Sequence, residues 1–369
     1  MQTWGQEEIA LAKQEFSNPG KNRMDLTLEF ASKFSTWQGV NNSFMFQNGR
    51  SALSFILDLL QLKNKDEVII SPYSCVVVYN SVLFSNAKPI LCDIELDSLS
   101  LNYSDLKSKI TSKTKAVVIP HLMGYVARDL IAIKELCAKQ GICLIEDCAQ
   151  SQGAKYLGKK VGNWADASFF SFEYSKVMST INGGAAVLNS IDLIEKANKK
   201  YFDLPITQKD YNRKVISLGL SKYYRFKAKK LLPVKIQDRS FKSTLKEEID
   251  HNKPKVYGHV MHSSFAEIGL IQLMKVDYYL EKRGAIANKL ELKFGDKINF
   301  LKPIENSTPA FLRLTGHVPK DQKVSRKFNF NNLEVGFWYS SLLDPASVYL
   351  SGFENSKSAC STIINLPTL

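Results

Sequence analysis

Apolar positions along the chain fall into two kinds of run that alternate. Short continuous runs at Phe44 to Phe46, Val68 to Ile70, Pro89 to Cys92, Ala116 to Pro120, Ile142 to Ile145, Ala167 to Phe172 and Gly184 to Leu188 have the length of strands buried on both faces. Longer stretches with helical spacing separate most of them: Leu53, Phe55, Ile56, Leu59, Leu60 and Leu62; the apolar stretch up to about Phe84; Tyr103 to Ile110; and Leu130 to Lys139. Strands and helices alternating at this interval predict an α/β fold around a mostly parallel sheet. Ahead of the sheet, Glu7 to Phe16 and Leu26 to Phe34 read as helices, with a turn at Asn18-Pro19-Gly20 between them. From Met261 the spacing of Phe265, Ile268, Leu270, Leu273, Val276 and Tyr279 predicts one long helix. Ala310 to Leu314 and Phe337-Trp338-Tyr339 read as strands. The expected division is a large domain over residues 1–250 and a smaller α+β domain over 251–369 that closes over the substrate side.

Within this layout the stretch from Cys143 to Leu188 carries the candidate chemistry. One apolar run ends in the acidic pair Glu146-Asp147 and a second is followed by Lys176. Asn182-Gly183-Gly184 then reads as a tight turn into a third run. Strand ends at one rim are where open α/β sheets place ligands. A carboxylate, an amine and hydroxyls gathered there suit pyridoxal phosphate: the amine forms a Schiff base, the carboxylate keeps the ring nitrogen protonated, and hydroxyls and backbone amides hold the phosphate. A lysine following an apolar run is desolvated, which makes it a usable nucleophile and proton shuttle; the bland alternative is a solvated surface lysine. For Asp147 the alternative is a helix cap.

At these residues the chain resembles the fold-type I sugar aminotransferases of the DegT/DnrJ/StrS group. The blocks that carry the likeness stand in the family's order: Asn48-Gly49-Arg50-Ser51-Ala52-Leu53, Glu146-Asp147-Cys148-Ala149-Gln150, Ser171-Phe172-Glu173-Tyr174-Ser175-Lys176, Asn182-Gly183-Gly184 and Gly269-Leu270-Ile271-Gln272-Leu273. The resemblance implies a cytoplasmic homodimer that binds pyridoxal 5'-phosphate. It further implies transfer of an amino group from an amino acid, glutamate being the expected donor, to a nucleotide-linked keto-sugar in amino-sugar or surface polysaccharide biosynthesis. Two alternatives share the fold: a keto-sugar dehydratase, whose lysine is usually a histidine, and a non-catalytic member that binds cofactor or a partner.

By resemblance, Lys176 and Asp147 are the catalytic pair, Gln150 meets the ring's phenolic oxygen, and Ser171 binds the phosphate. The glycine turn at Gly49 opens a helix, so its amides and the helix dipole form a phosphate site; an ordinary Asn-Gly turn is the alternative. Arg50 stands where the family has threonine, so either its guanidinium or Ser51 takes the phosphate contact. The family's stacking aromatic is replaced by Cys75, leaving either Tyr73 or a thiol contact on the ring. His121, at a strand end, is either a substrate contact or a satisfied structural histidine. Gly258-His259-Val260 stands where the family's asparagine reaches into the partner's phosphate site; His259 or Arg50 could substitute.

Composition narrows the picture further. With 369 residues, 44% of them hydrophobic, the chain can bury a large core, and no run approaches a membrane span. The amino-terminal residues lack the features of a secretion signal, which sets the cytoplasmic expectation. Its six cysteines show no metal-ligand spacing, so no metal is expected. The balance of 49 Lys and Arg against 36 Asp and Glu gives +13, concentrated between residues 199 and 255. That stretch reads as a solvated surface insertion, as a contact for an anionic sugar nucleotide, membrane surface or partner enzyme, or as a nucleic-acid site, although no recognised nucleic-acid module frames it.

Overall fold

The computed structural model describes residues 3–229, 249–255, 257–321, 335–346 and 350–369. Its described residues form a seven-stranded sheet in the order β1-β9-β8-β5-β4-β2-β3. The strands are β1 (Phe44–Phe46), β2 (Glu67–Ile70), β3 (Lys88–Leu91), β4 (Thr114–Pro120), β5 (Cys143–Asp147), β8 (Ala167–Ser171) and β9 (Gly184–Leu188). All run parallel except β9, which is antiparallel to both of its neighbours.

Successive side chains of each strand enter opposite cores, as the pleat requires. Met45, Ile69, Val117, Ile119, Leu144, Phe170 and Val187 face one cluster, while Phe44, Phe46, Val68, Ile70, Val118, Ile145 and Phe169 face the other. The first cluster is roofed by α1 (Gln6–Ser17), α2 (Met24–Gln38), α6 (Leu130–Gln140), α8 (Lys209–Lys229) and the start of α9 (Ser263–Phe294). The second is roofed by α3 (Gly49–Leu59), α4 (Val76–Phe84) and α7 (Ile191–Lys200). α5 (Tyr103–Lys109) completes the connection from β3 to β4. Burial on both faces explains why these strands read as continuous apolar runs.

The 32-residue α9, about 48 Å long, belongs to two cores. Phe265, Ile268 and Val276 pack in the large domain, while Ala287, Leu290 and Phe294 pack on the antiparallel sheet β10 (Asn299–Phe300), β12 (Arg313–His317) and β13 (Ile363–Pro367). A further helix, α10 (Glu354–Thr362), precedes β13. A second small sheet joins β11 (Ser307–Thr308) to β6 (Lys155–Tyr156) and β7 (Lys159–Lys160). The expected division after residue 250 therefore falls just ahead of a helix that both units share.

Three sequence expectations need correction. Phe337-Trp338-Tyr339 is not a strand; only Gly336 bridges Asn365, and the two rings turn into the sheet's rim. The strand expected at Ala310 to Leu314 starts later, at Arg313. The tight turn expected at Asn182-Gly183-Gly184 is a bend at residues 181–182, Gly184 is already the first residue of β9, and neither glycine has a positive φ. These glycines answer to close approach: a Cβ on Gly184 would lie 2.5 Å from the Asn48 carbonyl carbon, and one on Gly183 would lie 2.5 Å from Thr180 Oγ1. Backbone cannot step aside as a flexible side chain can. Gly184→Ala is expected to destabilise the fold by about 1 to 3 kcal/mol in urea unfolding.

The basic stretch also changes character. Part of it, with Lys230, Lys235 and the rest of 230–248, lies outside the described residues. Its described residues include helix α8, which docks through Ile216, fully buried, and Tyr223, nearly so, while Arg213, Lys214, Arg225 and Lys227 are exposed. Lys13 lies over Tyr224, and the Arg213 side chain donates to the Phe16 carbonyl, which ties α8 to α1. No described helix is long and apolar enough to cross a membrane.

Candidate active site

The carboxyl ends of β1, β8, β5, β4 and β2 share one rim with the start of β9. Asp147 closes β5, Ser171 closes β8, His121 follows β4 and the Asn48-Gly49 turn follows β1. The register pairs Pro120 with Asp147, and Ser171 with Gly184. Topology thus gathers most of the sequence's candidates.

At Asp147, burial pushes the carboxyl up from 3.8 to about 6. The Ala149 N–H, 3.0 Å from Oδ1, and the charges of Lys176 and His121 pull it back only in part. A carboxylate in that state favours a further cationic or N–H partner. Lys176 sits in the turn after β8, where its N–H donates to the Glu173 carbonyl at 2.9 Å. Its Nζ lies 6.0 Å from the ring centroid of Trp338, which comes from the small domain.

The α3 start forms the opposite corner. Asn48 Oδ1 accepts from the Ser51 N–H at 2.9 Å and caps the helix. A Cβ on Gly49 would stand 3.0 Å from Ser171 Cβ and 3.1 Å from the Phe170 carbonyl oxygen, so any larger residue would push the helix start and the end of β8 apart by a few tenths of an ångström. Ser51 is fully buried, and its Oγ accepts from Gly258 N–H at 3.2 Å. His259 accepts the Gln47 N–H at its carbonyl oxygen. The segment expected to reach a partner subunit therefore also crosses this chain's own helix start, beside the half-buried Arg50.

Other candidates are committed to structure. The Ala127 N–H donates to His121 Nδ1 at 3.0 Å, so Nε2 carries the proton that faces Glu146 at 3.0 Å. Glu146, fully buried, also accepts the N–H groups of Gly162, Trp164 and Ala165. This occupancy favours the structural reading of His121. It also explains why His121, Glu146 and Cys148, whose ligating atoms lie within 4.8 Å of one another, form a satisfied core cluster. Gln150 accepts from the Met123 N–H and donates to the Tyr339 hydroxyl at 2.7 Å. Tyr73 is fully buried; its hydroxyl donates to the Trp338 carbonyl and accepts from the Tyr339 N–H, and its ring meets Tyr339 edge-on at 5.3 Å. It packs in one cluster with Leu122, Tyr125, Leu301 and Tyr339. Half-buried Cys75 stands at the start of α4, where the Val76 N–H donates to the Asp344 carbonyl.

Sequence reasoning missed Trp338 and Tyr339 as site residues, along with Arg313, whose guanidinium lies 5.7 Å from the Trp338 centroid. The aromatic triplet at 337–339 was visible, yet nothing local tells a strand from a lid that inserts its rings. An open groove of about 550 Å³, lined by Leu144, Trp164, Asp166 and Asn189, lies at the opposite edge of the sheet, away from this chemistry.

Over 167 residues the chain is 36% identical to the GDP-perosamine synthase of Vibrio cholerae, 45% of each chain being aligned. Over 180 residues it is 34% identical to the L-glutamine:2-deoxy-scyllo-inosose aminotransferase of Streptomyces paromomycinus, which covers 49% of this chain and 42% of that one. The chain thus spans less than half the length of these curated relatives. Its fold matches the PLP-form of the putative sugar aminotransferase Spr1654 from Streptococcus pneumoniae with a TM-score of 0.75 at 18% identity, covering 99% of this chain and 91% of that one. The sequence pattern that spans residues 6–369 is that of the DegT/DnrJ/EryC1/StrS aminotransferase family, to which the chain belongs.

Proposed function

We propose that this protein is a pyridoxal phosphate-dependent aminotransferase that moves an amino group from an amino acid, glutamate being the expected donor, to a nucleotide-linked keto-sugar. The observation that carries the reading is that Asp147 ends β5 while Lys176 lies in the turn after the neighbouring strand β8, where its charge draws the carboxyl's pKa down. Two features support the fit of the cofactor. The carboxylate at about pH 6 suits a pyridine N–H, and the close contact between Gly49 and Ser171 shapes a small anion corner at a helix start. Homodimerisation is part of the same proposal, since the family's phosphate site draws on a second subunit.

When bound, pyridoxal phosphate supplies an electron-accepting ring and a carbonyl that carries the amino group. Asp147 would hold the ring nitrogen's proton; the α3 amides, Ser51 or Arg50, and Ser171 would hold the phosphate. Gln150, fixed by Met123 and Tyr339, would set the ring's rotation through the second hydrogen on its amide nitrogen. Lys176 would anchor the cofactor through Nζ and, once displaced by the donor amine, move a proton at the reacting carbon. Trp338 and Tyr339 would exclude water from above. Cys75 leaves room where the family places an aromatic ring.

A panel of nucleotide-linked keto-sugars, each incubated with the purified protein, cofactor and glutamate, tests the reading. An amino-sugar product formed with an equal amount of 2-oxoglutarate is the expected result. A product lacking oxygen but gaining no nitrogen would favour the dehydratase alternative.

A further inference from the structure

The basic helix α8 has no part in the chemistry above, yet one of its residues reaches the site. Lys222 Nζ lies 3.0 Å from the centroid of the Tyr174 ring, two residues before Lys176. Glu173 borders the same spot: its Oε2 accepts from both the N–H and the Oγ of Ser175, at 3.0 and 2.6 Å, while its buried Oε1 has no hydrogen-bond partner among the described residues. Arg313 acts on Tyr174 electrostatically from the small-domain side and also faces Trp338. The turn bearing Lys176 thus has Lys222 and Arg313 near the aromatic faces of Tyr174 and Trp338, with the carboxylates of Glu173 and Asp147 close by. Burial pulls the Lys222 amine down to about 7 and the Glu173 carboxylate opposes that, so an anion bound beside the amine would hold its charge.

We propose that Lys222 of α8 binds the diphosphate of the nucleotide-linked acceptor at the mouth of the site, which rests on the acceptor reading given above. Distance from the reacting amine separates two possible anions. An amino donor's carboxylate is attached to the reacting carbon itself, so its anchor belongs near Lys176; Arg313, which like Lys176 lies within about 6 Å of the Trp338 ring centroid, suits that task better than Lys222. A diphosphate leaves the sugar ring away from the reacting carbonyl, and its anchor belongs one step further out. Lys222 lies against the Tyr174 ring of the same turn, two residues before Lys176, and so stands beside the turn rather than at the reacting amine. A dianionic group also suits a mouth whose charges sum to positive, and α8 adds Arg225 and Lys227 beyond Lys222. This assignment gives the basic stretch a specific task in place of a general attraction for polyanions.

The test measures binding of a nucleoside diphosphate, GDP and UDP in turn, to the cofactor-loaded protein by calorimetry. Wild type, Lys222→Met, Lys222→Arg and Lys214→Met are compared, the last being an exposed position on the same helix. Lys222→Met should weaken binding at least tenfold; Lys222→Arg should restore most of it, and Lys214→Met should change it less than twofold. Equal loss in both methionine variants would reduce the effect to general charge and overturn the proposal, as would unchanged affinity in Lys222→Met. If wild type binds neither nucleotide, the proposal and the nucleotide-linked acceptor fail together. The transaminase reading then stands or falls separately, on whether glutamate alone changes the cofactor's absorbance. Thermal unfolding of each loaded variant separates lost contact from lost fold: a Lys222→Met protein that melts well below wild type, and that arginine does not rescue, marks a structural lysine.

Discussion

Lys176→Ala should lower the rate of amino transfer by about a thousandfold or more, because it removes both the anchor of the cofactor and the base that moves the proton. Fold stability should change by less than about 1 kcal/mol. The side chain is half-buried, and its described interactions are the Trp338 ring at 6.0 Å and the charge of Asp147, so its loss opens no packed cavity. Steady-state transamination and urea unfolding of the same preparation check the two halves of this expectation. A fall in activity matched by a fall in stability would mean that the lysine supports the turn rather than the chemistry.

Asp147→Asn should lower turnover by about a hundredfold. Loss of the carboxylate weakens proton binding at the ring nitrogen, and two pKa units at 1.36 kcal/mol each correspond to that factor. The same substitution has a second signature in the cofactor-free protein. The folded-state value, about 6, lies above the ordinary 3.8, so the folded protein binds the proton more tightly than the unfolded chain. Stability is therefore full below about pH 4 and is lost as pH rises through about 6, by about 2 to 3 kcal/mol in total. Denaturation of wild type across that range should show the decline, Asp147→Asn should flatten it, and saturating cofactor should offset it by giving the carboxylate a cationic N–H partner. A wild-type curve that rises over this interval would contradict the environment assigned to Asp147.

How far the sequence revealed this architecture depends on which physical signal each part carries. The sheet was legible because strands such as Ile69-Ile70 and Val117-Val118 are buried on both faces, and buried runs are local features of the chain. The rim at Asp147 was legible for a related reason, because an apolar run stops there on a charge, and Lys176 follows the next run by four residues. The role of Gly184 was misread because a turn and a close approach both demand glycine, and only the three-dimensional partner, here the Asn48 backbone, distinguishes them. Trp338, Tyr339, Arg313 and Lys222 were out of reach for a different reason. Each enters the site from an element more than 40 residues away, and nothing in its own neighbourhood records that contact. His121 shows the converse case, in which a strand-end histidine is absorbed by Glu146 and the Ala127 amide.

The central claim is a covalent bond between cofactor and Nζ of Lys176, and reductive trapping tests it most directly. Protein loaded with pyridoxal phosphate is treated with borohydride, digested, and mapped by mass spectrometry. The account predicts a single reduced pyridoxyl group on the peptide containing Lys176. The group found instead on Lys222, the other amine near this turn, or spread over surface lysines, would contradict it.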